Sequence, residues 1–132
     1  MSELSDADVE LLRGRNTAHF ATLNPDGSPH VTPVWIDVDD DGFVLLNTAV
    51  GRRKDRNVRR DPRVAVSLHV GGDPGRWLSI QGTVTSFVDE PEALEHIGAL
   101  ARRYDDRVWT PVPGQVRVIY RIRPDRVTRG DA

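Results

Sequence analysis

The chain has no cysteine, so it can form no disulfide and offers no thiolate to a metal. Lysine occurs once, at Lys54, and methionine once, at Met1. Aromatic residues are scarce, at 6%, so Trp35, Trp77 and Trp109 stand out as candidates for core packing or ligand contact. No apolar run approaches the roughly 20 residues that a membrane-spanning helix needs. The segment from Met1 to Asp6 is acidic and is not a secretory leader. With the lack of cysteine, this sets the expectation of a cytoplasmic protein with no membrane partner. The net charge of −2 leaves no global basic footprint for nucleic acid. His19, His30, His69 and His96 are scattered, and none lies at i, i+4 from another ligand, so no metal site is expected. Ser28 and Ser79 lack the context of a nucleophile elbow, which argues against hydrolase chemistry.

What is present reads as one domain over residues 1–132. Ser5 and Asp8 form a capping-box pattern, with Val9, Leu11 and Leu12 as a short apolar face and Gly14 as a stop. Residues 17–23 read as a strand, 24–27 as a turn, and 29–38 as the second strand of a hairpin. That hairpin would set His19 opposite His30. The three acids at Asp39, Asp40 and Asp41 lack the rest of an EF-hand loop and read as a solvated turn. Further strands are expected over 43–47, 64–70 and 76–88, with Gly82 marking a bulge or a close approach. Leu94, Ile97, Leu100, Ala101 and Tyr104 recur at helical spacing. A loop over 105–114 carries Trp109, a last strand covers 115–123, and the charged tail, 124–132, reads as frayed. The regular strand–turn spacing points to a mainly β (α+β) fold, an antiparallel barrel of about six strands with two or three short helices.

Within this near-neutral chain, six of the nine residues from Arg52 to Arg60 are basic, and only Asp55 opposes them. Their spacing suits a short helix that Asp61 and Pro62 end. Gly51 stands at its mouth. Helix N-termini present unpaired N–H groups to anions, and the flanking cations strengthen such a site. A phosphate contact is therefore expected here, set against the plainer alternative of a solvated charged helix.

Three segments, taken in order, resemble the split β-barrel flavin/deazaflavin oxidoreductases, the pyridoxamine-phosphate-oxidase-like superfamily. They are ATLNPDGSPHVTPVW at 21–35, GRRKDRNVRRDPRV at 51–64 and WLSIQGTV at 77–84. The resemblance covers residues 4–127 and implies an FMN-binding split β-barrel. The Gly-Arg-x-Lys-x-Arg-Asn pattern at 51–57 is most similar to the actinobacterial branch that uses the deazaflavin coenzyme F420. Residues 77–84 and 102–113 also resemble the biliverdin-reducing members. The C-terminal residues do not resemble those that hold substrate phosphate in the vitamin oxidases, so that reaction is not expected.

The resemblance implies a homodimer with two cofactor sites at the subunit interface and a small conjugated organic substrate. By it, Pro33, Val34 and Trp35 would lie near the ring. Thr48, Gly51, Arg52, Lys54, Arg56 and Asn57 would hold the phosphate end. Trp77 and Gln81 would approach from the long strand, and Trp109 would close the pocket from the partner subunit. The cofactor would supply the hydride chemistry, with close alignment of ring and substrate doing much of the work. No catalytic side chain is identified, and Thr22, Ser79 and Tyr120 are candidate proton-donating hydroxyls. Alternatives are FMN in the same pocket, or a protein that binds a flavin, deazaflavin, haem or tetrapyrrole without turnover. Arg59 and Arg60 read as surface charges.

Overall fold

Local rules set the start of the chain. Ser5 caps helix α1 (Asp6–Arg13): its hydroxyl accepts from the Asp8 N–H at 3.1 Å, and the Asp8 carboxylate accepts from the Ser5 N–H at 2.8 Å. The computed structural model describes residues 3–131. After α1 come β1 (Ala18–Leu23), β2 (Pro29–Val34), β3 (Asp37–Val38) and β4 (Val44–Ala49). Then follow α2 (Arg53–Arg60), β5 (Arg63–Val70), β6 (Asp73–Val88), α3 (Glu92–Asp105) and β7 (Arg117–Asp131). Met1, Ser2 and Ala132 lie outside the described residues.

All strand pairs are antiparallel and form one sheet in the order β2-β1-β5-β6-β7-β4-β3. The two edge strands, β2 and β3, are consecutive in the chain and separated only by Trp35 and Ile36. Laid flat, edges six spacings apart would stand roughly 29 Å from each other. The three Cα steps from Val34 to Asp37 reach no more than about 11 Å. The sheet must therefore curl until its edges meet, which makes the split barrel. Its inner face buries Phe20, Leu46, Leu68, Ile80, Tyr120 and Ile122, and Leu12 of α1 and Val58 of α2 join that cluster. Helix α3 packs on the outer face, against β7 and β4. Its buried Ala93, Ile97, Leu100 and Ala101, with Ala49 and Ile119, stand outside the barrel cluster.

Several expectations need correction. The strand expected over 29–38 is broken at Trp35–Ile36, because α3 takes the backbone groups that a neighbouring strand would have paired. The Ile36 N–H donates to the Tyr104 hydroxyl at 3.1 Å, that hydroxyl donates to the Asn16 carbonyl at 2.9 Å, and Arg103 donates to the Ile36 carbonyl at 3.3 Å. There are thus seven strands among the described residues. The strand expected over 43–47 runs on through Thr48 to Ala49. His19 is opposite Pro33 and His30 opposite Thr22, so the two histidines do not face each other.

The expected frayed tail is the second half of β7. Arg126 pairs with Gln81 and Thr128 with Ser79, Val127 packs against the core, and Arg129 clasps Asp8 at 2.6–3.0 Å. Val127 is its one apolar side chain packed on the core, and the charges around it outnumber that signal, so composition alone hid the strand. Gly82 does mark a close approach: a Cβ there would stand 2.7 Å from the Arg123 carbonyl oxygen, where the β6–β7 register shifts. Deleting residues 124–132 is therefore expected to lower the urea midpoint by the equivalent of several kcal/mol. An unchanged midpoint would contradict a paired tail.

Candidate functional site

Helix α2 turns inward residues that its composition would place outside. Lys54, Asp55, Asn57 and Val58 are buried, while Arg53 and Arg56 point to solvent. Asp55 is the reason. Its carboxylate accepts from the Tyr120 hydroxyl at 2.6 Å, the Gly51 N–H at 2.9 Å and the Arg59 Nε at 3.0–3.1 Å. Gly51 reaches this position with φ at +94°, a region that suits glycine. Asn57 adds bonds to the Thr22 hydroxyl and the Asn24 amide oxygen, each at 3.0 Å. Arg59 also lies 4.5 Å from the Phe87 ring centre, and Arg60 donates to Asn57 and to the Leu23 carbonyl. Both arginines, expected as surface charges, clip the helix to the barrel.

Docked this way, α2 presses Arg52 and Lys54 against the outer end of the barrel. They line a cleft of about 380 Å³ with Thr17, Pro33, Val34, Trp35, Asn47, Ile97, Trp109 and Arg117. Lys54 is only 9% exposed and Arg117 4%. No carboxylate among the described residues pairs with the Arg52, Lys54 or Arg117 side chain. Burial, then the Arg52 charge, then Arg117, pull the Lys54 pKa below its ordinary value. Burial, then Arg52, pull Arg117 down to about 10, with Glu90 opposing. Two buried cations beside a third, exposed one favour an anion among them.

The remaining walls suit a flat ring. Trp35 stacks on Tyr104, with ring centres 5.3 Å apart and planes 10° from parallel. Trp109 sits between the Arg107 and Arg117 guanidiniums, 5.5 and 5.3 Å from its centre. Its indole N–H is buried without a partner among the described residues.

Of the expected cofactor residues, the cleft brings together Pro33, Val34, Trp35, Arg52, Lys54 and Trp109. Thr48, Gly51, Arg56 and Asn57 do not line it: Gly51 and Asn57 shape α2, Thr48 is buried and Arg56 is exposed. Gln81 borders a separate groove with Thr22, Arg63 and Thr83. Trp77 covers Gly130, where an added Cβ would fall 2.0 Å from its indole nitrogen. Neither Gln81 nor Trp77 lines the cleft. The candidate hydroxyls do not line it either. Tyr120 is fully buried, and burial and its bond to Asp55 hold its hydroxyl protonated, well above the ordinary tyrosine range.

The sequence reading missed Arg117 and Asn47. The β4–β7 register sets Arg117 beside Ala49 and Ile119 beside Asn47, on the face under α3. No local pattern carries that pairing. The described residues hold no cluster of three or more His, Cys, Asp or Glu suited to a metal ion, and no helix long and apolar enough to cross a membrane.

Comparison with known proteins agrees with the resemblance in the sequence. The chain matches the family described as pyridoxamine 5'-phosphate oxidase over residues 4–129. It is 33% identical over 129 residues to the F420H2-dependent biliverdin reductase of Mycobacterium tuberculosis, covering 96% of this chain and 88% of that protein. A solved structure named F420 reductase superimposes with a TM-score of 0.81 at 30% identity, over 95% of this chain and 98% of that one. A pyridoxine/pyridoxamine 5'-phosphate oxidase of Rhodopseudomonas palustris is 30% identical over 112 residues, 84% of this chain but 51% of that longer protein.

Two stability changes follow from the site's electrostatics. The folded pKa of Lys54 is depressed, so its charge opposes folding at neutral pH and the unfolded state binds the proton more tightly. Lys54→Met is expected to raise the stability of the unliganded protein by about 0.5–2 kcal/mol in urea unfolding. Tyr120→Phe takes a hydrogen bond from the buried Asp55 carboxylate and is expected to cost about 1.5–3 kcal/mol. A loss of cofactor affinity in Tyr120→Phe larger than its loss of stability would reverse the assignment of Tyr120 to structure.

Proposed function

The chain belongs to the pyridoxamine 5'-phosphate oxidase family of split β-barrels, and on that premise we propose that it is an F420-dependent reductase of a small conjugated organic substrate. The observation that carries this reading is the cleft, where the Arg52, Lys54 and Arg117 side chains converge beside Trp35 and Trp109 with no ion-pair partner among the described residues. The residues present fit a cofactor with an anionic tail and a flat ring. Arg52, Lys54 and Arg117 would hold a phosphate. Pro33, Val34 and Trp35 would face the ring, and the buried, unpartnered Trp109 N–H is a donor for a polar edge. When bound, the deazaflavin supplies a hydride. The chain itself binds, orients and excludes water. Thr17 is the only hydroxyl side chain among the residues lining the cleft, so solvent is the proton source this reading favours over a tyrosine.

A homodimer is part of the same proposal. At about 380 Å³ the cleft is at the small end for ligand pockets, and a second copy would enlarge and close it. The exposed Val31, Val108, Val112 and Val116 offer apolar surface for that contact. The proposed setting is the cytoplasm. The names of the relatives support reduction as the reaction and a linear tetrapyrrole as one substrate to assay.

Titration of the purified protein with coenzyme F420 and with FMN tests the cofactor. Tight F420 binding is expected, and binding of FMN alone would replace the deazaflavin reading with a flavin one. Lys54→Ala and Arg117→Ala are each expected to weaken F420 binding by about 1.5–3 kcal/mol, the loss typical of a charged hydrogen bond. Turnover with reduced F420 on biliverdin, quinones and enones separates an enzyme from a carrier. Light scattering of the protein in solution tests the dimer.

A further inference from the structure

Behind the cleft runs a chain of hydrogen bonds whose direction is fixed at both ends. An arginine only donates, so Asn47 Oδ1 must be the atom that accepts from Arg117 Nε at 2.9 Å. A carbonyl only accepts, so the Asn47 Nδ2 must face the Ala93 carbonyl at 2.8 Å. The second Nδ2 proton points at His96 Nδ1, 3.2 Å away. That ring nitrogen must therefore carry the lone pair, which leaves the proton on Nε2. Nε2 donates to Asp37 Oδ2 at 3.0 Å. The other Asp37 oxygen is held by Arg103 at 2.9 Å. Every polar atom along the relay is satisfied in one arrangement only. Reversing the Asn47 amide would turn its oxygen toward the Ala93 carbonyl and its N–H toward Arg117.

Arg117 ends the relay. It has five side-chain N–H groups. Nε serves Asn47, and one Nη1 proton serves Gln115 at 3.1 Å. Five minus two leaves three without a partner among the described residues. The Arg117 main-chain N–H is anchored separately by Glu90 at 2.8 Å. The guanidinium is thus held at Nε and at Nη1, and Arg117 lines the cleft.

We propose that His96 and Asn47 are positioning residues that set the anion grip of Arg117. Neither needs to touch the ligand. They hold the guanidinium in one orientation, so that an anion does not have to order it on binding. The relay begins at Asp37, the first residue of β3, and crosses α3 before reaching β7. It links the barrel's closing strand and its outer helix to the cleft. This rests on reading the cleft as an anion site.

The test uses the full-length protein and two readouts. The first needs no ligand: hydrogen exchange of the Arg117 Nε–H, followed by NMR. His96→Phe keeps a ring of similar shape without the nitrogens, and Asn47→Leu keeps the volume without the amide. Each is expected to speed that exchange by about tenfold, and whichever folds as wild type decides the question. The second readout is F420 affinity in a double-mutant cycle of His96→Phe with Arg117→Ala. The His96→Phe loss, about tenfold in the wild-type background, is expected to vanish when Arg117 is absent. Unchanged exchange in the folded variant overturns the proposal. So does an affinity loss of equal size in both backgrounds. If wild type binds neither F420 nor FMN, the cofactor reading fails, and the exchange rates alone judge the relay.

Discussion

The two residues between β2 and β3 govern the architecture. Trp35 and Ile36 join the opposite edges of a seven-stranded sheet, and their short reach obliges it to curl. A break between two strands leaves backbone groups to satisfy. Tyr104 and Arg103 of α3 satisfy those of Ile36, which fixes α3 against the outside of the barrel. Pro33, Val34 and Trp35 then form one wall of the cleft, and α3 contributes Ile97 to another. Asp37, immediately after the link, anchors the relay through His96 and Asn47 to Arg117. Barrel closure and the shape of the cleft are the same event seen from two sides.

Charge is arranged around that frame in two opposite ways. On the inner side of α2, Asp55 is buried and fully bonded, so it stabilises the helix dock. The Asp55 carboxylate also accepts from the N–H of Gly51, just ahead of the Arg52 N-cap, and so ties the entry of the helix to its first turn. On the cleft side, no carboxylate among the described residues forms an ion pair with the Arg52, Lys54 or Arg117 side chain, and two of them are nearly inaccessible. Stability given up at such a site is a common companion of binding function.

Much of the fold was legible because its signals are local. The Ser5–Asp8 box, the turn at Gly27, the alternation in β5 and β6, the bulge at Gly82 and the apolar stripe of α3 each depend on residues within a few positions of one another. The tail was misread because its charges outweigh the one apolar position, Val127, that packs on the core, and because the strand β6 it pairs with lies more than 40 residues away. The strand break at Trp35–Ile36 was invisible because its cause, Tyr104, lies 68 residues away. For the site, the family resemblance pointed to Arg52, Lys54, Trp35 and Trp109, which the cleft does gather. It also pointed to Gly51 and Asn57, whose polar groups are taken up in docking α2.

By itself, then, the sequence determined most of the secondary elements, the location of the basic helix and the family. These follow from spacing and short motifs, which survive without knowledge of the fold. Tertiary structure alone decided which charges of that helix face inward, because the Asp55–Tyr120 bond sets its rotation. It also brought Arg117 to Lys54. That meeting depends on the β4–β7 register, a long-range pairing that no stretch of sequence near either residue encodes.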